Sequence, residues 1–445
     1  MDAIGAYPHR MSDTERRACL RRAVIASTVG TTIEWYDFLI YSVVTGLVFG
    51  TLYFPDADPV VGALKAFGVF FVGFIARPIG PVIFGDYGDR IGRKATLIAT
   101  LLMTGIATAA VGMVPGYDTI GIWGGIILTV LRIIQGIGVG GEWGGSVLLA
   151  MEWARTNKNR GFLASWPQIG APLGTCLANI SVLGFGWLSG DQFLNWGWRI
   201  PFLLSIVMVG IGLWIRVGIL ETPVFQRLIT DKKIERAPTL EVLKRQPRQV
   251  ILAALLRLAE QSPGYIFSVF VFTYGTTFLG ASRNLLLSAS ITGTILGSFW
   301  VPIAGALSDR IGRRQTYIIG CASVAAFIFV YFALLGTKVP GLMFLAIALS
   351  FIPVMTLYGA EAALISEAFT PRLRYSGASI GYQLASIIAG GPAPFISAWL
   401  FAAYHSTVPI GIYVVICAVI SVVSAALLTD YTNKDTSLEV RYGNV

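Results

Sequence analysis

Histidine is all but missing from this chain of 445 residues. The two present are His9, in a polar N-terminal stretch, and His405, in a short loop between apolar runs. Their positions exclude a histidine-built metal centre and a histidine proton carrier inside an apolar segment. Cysteine is equally scarce: Cys19, Cys176, Cys321 and Cys417 are far apart, form no CxxC, and three sit within apolar runs, where they read as small core hydrophobes. No nucleophile paired with a base and no metal-ligand cluster is visible near a surface, so neither enzyme chemistry nor a cofactor or metal is expected. Charge is sparse too, at 13% of residues against 55% hydrophobic, a balance that points to lipid as the solvent. The formal excess of +9 comes without an aromatic-basic stripe or docking motif, which removes nucleic acid as a partner.

What the sequence has in abundance is apolar length. Twelve runs of roughly 20 residues or more recur between about residues 24 and 429, each long enough to cross a bilayer as a helix. The first is too long for a signal peptide and has no small-residue cleavage site, so it reads as a retained helix. Most of the 33 Lys and Arg residues fall on one side when the N-terminus is placed in the cytoplasm, so a multi-pass protein of the cell membrane with both termini cytoplasmic is expected. One long hydrophilic break, carrying Pro223, Pro238 and Pro247, divides the runs six to six. The expected organisation is a cytoplasmic tail over 1–22, a six-helix bundle over 23–218, a cytoplasmic linker over 219–248, a second six-helix bundle over 249–430 and a tail over 431–445.

One phrase is written twice: Gly85-Asp86-Tyr87-Gly88-Asp89-Arg90-Ile91-Gly92-Arg93-Lys94 and Gly305-Ala306-Leu307-Ser308-Asp309-Arg310-Ile311-Gly312-Arg313-Arg314. Both read GxxxDRxGR followed by a base, and they lie about half a chain apart, which implies two similar halves. Each half also places an acid near the inner end of its fourth run with bases after it: Glu152 before Arg155 and Arg160, Glu367 before Arg372 and Arg374. Gly85, Asp89, Arg90, Arg93 and Glu152 in the first half, with Asp309, Arg310, Arg313 and Glu367 in the second, therefore form a candidate cytoplasmic gate. The aspartates would sit at the N-terminus of the following helix, favourable to its dipole, and the arginines would reach the glutamates. Plain topogenic charge is the simpler reading, but it does not explain why the glycine and aspartate positions repeat as well.

The loop pair, the run Arg132-Ile133-Ile134-Gln135-Gly136 and the phrase Glu221-Thr222-Pro223 together resemble the major facilitator superfamily. Glu34-Trp35-Tyr36-Asp37-Phe38, Arg77-Pro78-Ile79-Gly80, Gly140-Gly141-Glu142-Trp143-Gly144-Gly145 and Trp196-Gly197-Trp198-Arg199-Ile200-Pro201-Phe202 resemble its metabolite:proton symporter branch, over about residues 20 to 430. The resemblance implies an all-α membrane protein of twelve transmembrane helices in two pseudo-symmetric six-helix bundles, which takes up a small organic acid with a proton by alternating access. Within the branch the chain resembles the shikimate carriers and uncharacterised relatives, beside carriers of 2-oxoglutarate, citrate, proline and betaine. A zwitterionic osmolyte symporter and a proton-independent facilitator or exporter stay open as alternatives. Ile169-Gly170-Ala171-Pro172-Leu173-Gly174 does not match the phrase that drug antiporters of the superfamily carry in their fifth helix, which counts against export. The expected partners are an organic-acid solute, protons and the lipid bilayer, and the chain is expected to work as a monomer.

A charge at the bilayer centre costs about 2.5 to 3.5 kcal/mol, so each one that persists calls for a reason. The set is Glu34, Asp37, Arg77, Arg132, Glu142, Arg257, Glu260 and Glu361. All but Arg77 fall on the first, fourth, seventh and tenth runs, which line the central cavity in the resembled fold. Asp37 and Arg132 match an acid and a base that face each other in sugar carriers of the superfamily. Asp37 is thus the first candidate to carry the proton with Arg132 as competitor, and Glu34, Glu142 and Glu260 are alternatives. A permanent Asp37 to Arg132 pair that only holds two helices together is the bland reading. Arg77 or Arg257 could grip a carboxylate, and Tyr36, Tyr41, Gln168, Tyr265, Tyr382 and Gln383 could complete a polar cavity.

Overall fold

In lipid only a helix satisfies every backbone N–H and C=O within one segment, and each apolar run takes that form. The computed structural model describes residues 13–55, 57–84, 93–141, 143, 147, 151, 159–217, 238–370, 373–432 and 434. In chain order the rods of the first half are α1 (Ser27–Tyr53), α2 (Val60–Phe84), α3 (Arg93–Met113), α4 (Trp123–Gly140), α5 (Arg160–Gln192) and α6 (Gly197–Ile215). Those of the second half are α7 (residues 247–278), α8 (Arg283–Ile311), α9 (Arg313–Gly336), α10 (Pro340–Glu367), α11 (Arg374–Tyr404) and α12 (Val408–Leu427). Helix starts carry their sequence signals: Asp58 accepts from the Val60 N–H at 2.9 Å with Pro59 at the first helical position, and Ser282 accepts from the Leu285 N–H at 3.3 Å. Gly312 joins α8 to α9 at a φ of 106°, a backbone shape that side-chain-bearing residues avoid, which is why the repeated phrase needs glycine there.

Within the first half α1 packs on α5, α2 on α4, and α3 on α4 and α6. Within the second, α10 packs on α8 and α9, α9 on α12, and α7 on α11. The halves meet where α5 lies against α8 and α10, and where α2 lies against α11. The α2–α4 contact is made backbone to backbone: a Cβ at Gly136 would strike the Gly73 carbonyl oxygen, and one at Gly140 the carbonyl oxygen of Arg77. Neither oxygen can swing away, so Gly136→Ala and Gly140→Ala are each expected to cost about 1 to 3 kcal/mol. The melting temperature of the purified protein checks this, with Gly68→Ala, where nothing lies within 4 Å, as the neutral control.

Several helices are interrupted, α1 by a π turn over Thr45–Phe49, α2 at Arg77 and Pro78, and α6 at Leu204. α5 breaks near Pro167 and Ile169, and α11 widens into a π turn over Ser386–Gly390 just before Pro392, where prolines and glycines suggest bends. α7 is the most interrupted: one helix ends at Leu256, another begins at Leu258, and π turns follow over Ile266–Phe270 and Tyr274–Phe278. Arg257 sits at the first of these breaks. The periphery leaves Trp187, Trp214, Phe299 and Trp399 bare, a surface suited to lipid rather than water.

The halves also touch at both ends. On the outer side the Thr273 hydroxyl of α7 donates to the Gly46 carbonyl of α1 at 3.0 Å, and the Asn179 amide of α5 donates to the Ser290 hydroxyl of α8 at 2.8 Å. On the inner side the Tyr375 hydroxyl and the Gln383 amide of α11 donate to the Gly141 and Gly140 carbonyls at 3.2 and 3.1 Å.

Candidate substrate cavity and proton site

Between these closed ends lie two cavities, with Trp35 in the wall of both. One, of about 530 Å³, is lined by Leu39, Glu260, Gln261, Tyr265, Phe351 and Tyr358 among others. The other, of about 420 Å³, is lined by Glu34, Arg77, Trp143, Gln168, Tyr382 and Gln383. Both draw walls from the two halves.

Arg77 is buried where α2 meets α11. Its Nη1 donates to the Ser386 hydroxyl at 3.2 Å, while Nε and Nη2 have no hydrogen-bond partner among the described residues. The Phe38 and Phe74 rings lie 4.0 and 4.3 Å from the guanidinium and offset part of its desolvation. Around it, Trp143 stacks on Tyr382 at 3.8 Å and donates to the Gln168 side-chain carbonyl at 2.9 Å. Gln168 in turn donates to the Tyr358 carbonyl at 3.4 Å, so a chain of contacts crosses from one half to the other.

Asp37 is fully buried against α3 and α6 rather than on the cavity wall. Its Oδ1 accepts from the Ser205 hydroxyl at 2.5 Å, while Oδ2 faces Gly105 without a hydrogen-bond partner among the described residues. The expected pair with Arg132 is not formed. Arg132 lies over the Phe38 ring at 3.8 Å and the Tyr41 ring at 4.4 Å and donates to Gln135 at 3.1 Å; Gln135 donates to Thr108 at 2.7 Å. The Thr108 hydroxyl is 3.5 Å from the Asp37 carbonyl. Aromatic faces and an amide therefore take the place of the carboxylate, and a permanent structural pair is ruled out for this conformation. Glu34, one turn earlier, lines the smaller cavity with Arg77.

Two further readings need correction. Tyr36 donates to the Pro201 carbonyl at 2.6 Å, inside the first half, and Tyr41 packs edge-on against Phe49 beside Arg132. Neither lines either of the two cavities described. Arg257 is not free to grip a solute: it donates to Glu361 at 3.2 Å, to the Tyr382 carbonyl at 2.7 Å and to Glu260 at 2.9 Å. Glu361, Ser205, Ser386 and Trp143 enter the site without having been singled out for it. Glu361 carried a signal as an intramembrane charge and Trp143 stood in the Gly140 to Gly145 phrase; Ser205 and Ser386 are short residues that no local pattern marks. Glu142 lies outside the described residues.

At the inner face Asp309 of α8 accepts from the Gly161 and Phe162 N–H groups at 2.9 and 2.8 Å, capping the start of α5 in the other half. This corrects the expectation that it serves the helix following it: α5 presents unpaired N–H groups and α9 begins beyond Gly312. Arg313 pairs with Asp309 at 3.3 Å and with Glu367 at 2.7 Å, and Arg160 reaches Glu367 across the halves at 3.2 Å. Arg310 is exposed and stands apart from this cluster. The segment after α12 lies over it, with Asp430 and Thr432 receiving the Arg314 and Arg313 N–H groups and the Lys434 carbonyl receiving Arg160. Burial alone would push the Asp430 carboxyl up, but hydrogen bonds from Thr432 and Arg314 outweigh it and hold the group below the usual carboxylate range. Gly85, Asp89, Arg90 and Glu152 lie outside the described residues, as does the side chain of Arg93.

Twelve apolar helices in two halves that touch at both ends, with cavities walled by both halves, define a membrane carrier. The chain belongs to the sugar (and other) transporter family of the major facilitator superfamily, whose model matches residues 22–246, and a second model, for MFS/sugar transport proteins, matches residues 145–403. It is thus a transporter rather than an enzyme. It is 40% identical over 417 residues to the inner membrane metabolite transport protein YhjE of Escherichia coli (strain K12), covering 92% of this chain and 94% of that one. It is also 40% identical over 419 residues to the shikimate transporter of the same strain, with the same coverage. Among solved structures the proton:xylose symporter XylE bound to 6-bromo-6-deoxy-D-glucose superposes with a TM-score of 0.74 at 18% identity, over 95% of this chain and 98% of that one, and shares the fold.

Proposed function

We propose that this transporter takes up a small organic acid together with a proton. The observation that carries the solute class is Arg77: a guanidinium buried between the halves, lining a cavity, with two nitrogens unpartnered among the described residues and with Arg257 already saturated. A carboxylate is the group that such a planar fork accepts best. The larger cavity offers aromatic and aliphatic walls, Trp35, Phe351 and Val354, to the body of the solute, and Glu260, Gln261 and Tyr265 to its hydroxyls. The likeness to a shikimate transporter supports the same class. Asp37 is the proton carrier of this reading, since its unpartnered oxygen suits a neutral carboxyl in the closed conformation. Purified protein in liposomes, tested with shikimate, dicarboxylates and proline with and without an inward proton gradient, checks both parts. Uptake that ignores the gradient for every solute would sink symport, and uptake of proline alone would replace the acid.

In the same reading the Asp309, Arg313, Glu367 and Arg160 cluster is the cytoplasmic gate. Glu367→Gln removes the buried carboxylate that Arg313 and Arg160 share and leaves Asp309 alone to balance Arg313, which weakens the closed inner face. A cysteine placed at Ser165, where α5 touches Gly305 of α8, is then expected to label from the cytoplasmic side at least about tenfold faster. Equal labelling with and without Glu367→Gln would reduce the cluster to a topological anchor.

A further inference from the structure

The second half holds a charge cluster of which the solute site uses Glu260 alone. Glu361 of α10 and Glu260 of α7 share one guanidinium, Arg257, whose remaining terminal nitrogen is taken by the Tyr382 carbonyl. One guanidinium thus donates to two buried carboxyls. Three tyrosines surround it: Tyr317 of α9 donates to the Leu256 carbonyl at 2.6 Å, and the Tyr358 and Tyr382 hydroxyls of α10 and α11 face each other at 3.3 Å. Cys321 of α9 is buried beside Tyr317, and Arg77 of α2 acts on Glu260 from the opposite half.

The two carboxyls are not equivalent. Glu260 Oε2 accepts from both Arg257 and Gln261, at 2.9 and 2.7 Å, and its side chain borders the larger cavity. Glu361 is fully buried, has Arg257 as its one donor, and its Oε2 has no partner among the described residues. A negative oxygen left alone in such a place costs several kcal/mol, whereas a neutral carboxyl costs far less. We propose that Glu361 is a second proton-carrying residue of the transport cycle, separate from Asp37 and on the other half of the molecule. The proton binds the carboxylate of Glu361 and no other bond changes. Glu260, the member that reaches the cavity, is its route to water, and Arg257 couples the two carboxyls because releasing the proton puts two negative charges on one guanidinium.

This inference deepens the proton-coupled reading, yet it can be tested apart from transport. Infrared spectra of the purified protein in lipid, taken over a pH series, should show a protonated-carboxyl C=O band that fades with rising pH and is missing from Glu361→Gln, which mimics the protonated shape and should fold. Asp37→Asn should remove a different band. Spectra of Glu361→Gln that match the parent would overturn the proposal. So would a Glu361 band that persists to the most alkaline pH the fold survives, since that marks a fixed structural acid. Loss of the Glu361 band beside an unchanged Asp37→Asn spectrum leaves this inference standing and removes Asp37 from the proton-coupled reading.

Discussion

Asp37→Asn takes gradient-driven accumulation in liposomes to background while solute exchange continues. The reasoning is local. Asparagine keeps the acceptor that Ser205 donates to at 2.5 Å and replaces an oxygen that has no partner among the described residues, so the fold loses little, about 1 kcal/mol. What it removes is the ability to change charge. In the closed state Arg132 is engaged by Phe38, Tyr41 and Gln135 rather than by Asp37, so a carboxylate that ionises later in the cycle has a cation within the same half to turn to. On the proposed reading, that exchange of a proton for an ion pair converts a proton gradient into a conformational bias. A neutral side chain fixes the closed-state condition and uncouples the gradient. Uptake and counterflow measured on the same proteoliposomes separate the two activities, and accumulation at the parent level in Asp37→Asn would move the proton elsewhere.

The second large effect is expected at Arg77. Removing a buried charged partner costs about 2 to 5 kcal/mol of binding, so Arg77→Gln should raise the apparent KM for an organic acid by roughly 30-fold to several thousand-fold. Arg77→Lys should recover part of that, because a point charge remains while the planar fork does not. Burial of Arg77 between Phe38 and Phe74 raises the alternative that it only packs α2 against α11, through Ser386. The melting temperature decides: a structural role lowers it in both variants with KM unchanged, whereas a binding role leaves it near the parent and moves KM.

Particular residues show how far the chain could be read before its structure. The twelve helices follow from apolar length, since lipid leaves the backbone no other solution. The doubled phrase gave Asp309, Gly312 and Arg313, and the positive φ at Gly312 explains one of its letters. What Asp309 caps could not be read, because α5 lies in the other half and nothing in a local pattern says which helix start arrives beside an acid. Tyr36 and Asp37 show the same limit: adjacent in sequence to cavity-lining Glu34 and Trp35, they point into the packing of their own half. The break at Arg257 is a third case, since only packing decides that a helix yields there.

By itself, then, the sequence determined the solvent, the number of long apolar segments, the duplicated phrase and the short roster of intramembrane charges, because each is set by composition and spacing along one segment. The tertiary structure decided which of those charges are paired and which are not: Arg257 saturated by Glu260 and Glu361, Arg77 with open donors, Asp37 apart from Arg132. Pairing is a matter of a few ångströms between helices far apart in the chain, and those distances exist only once the two halves have closed on each other.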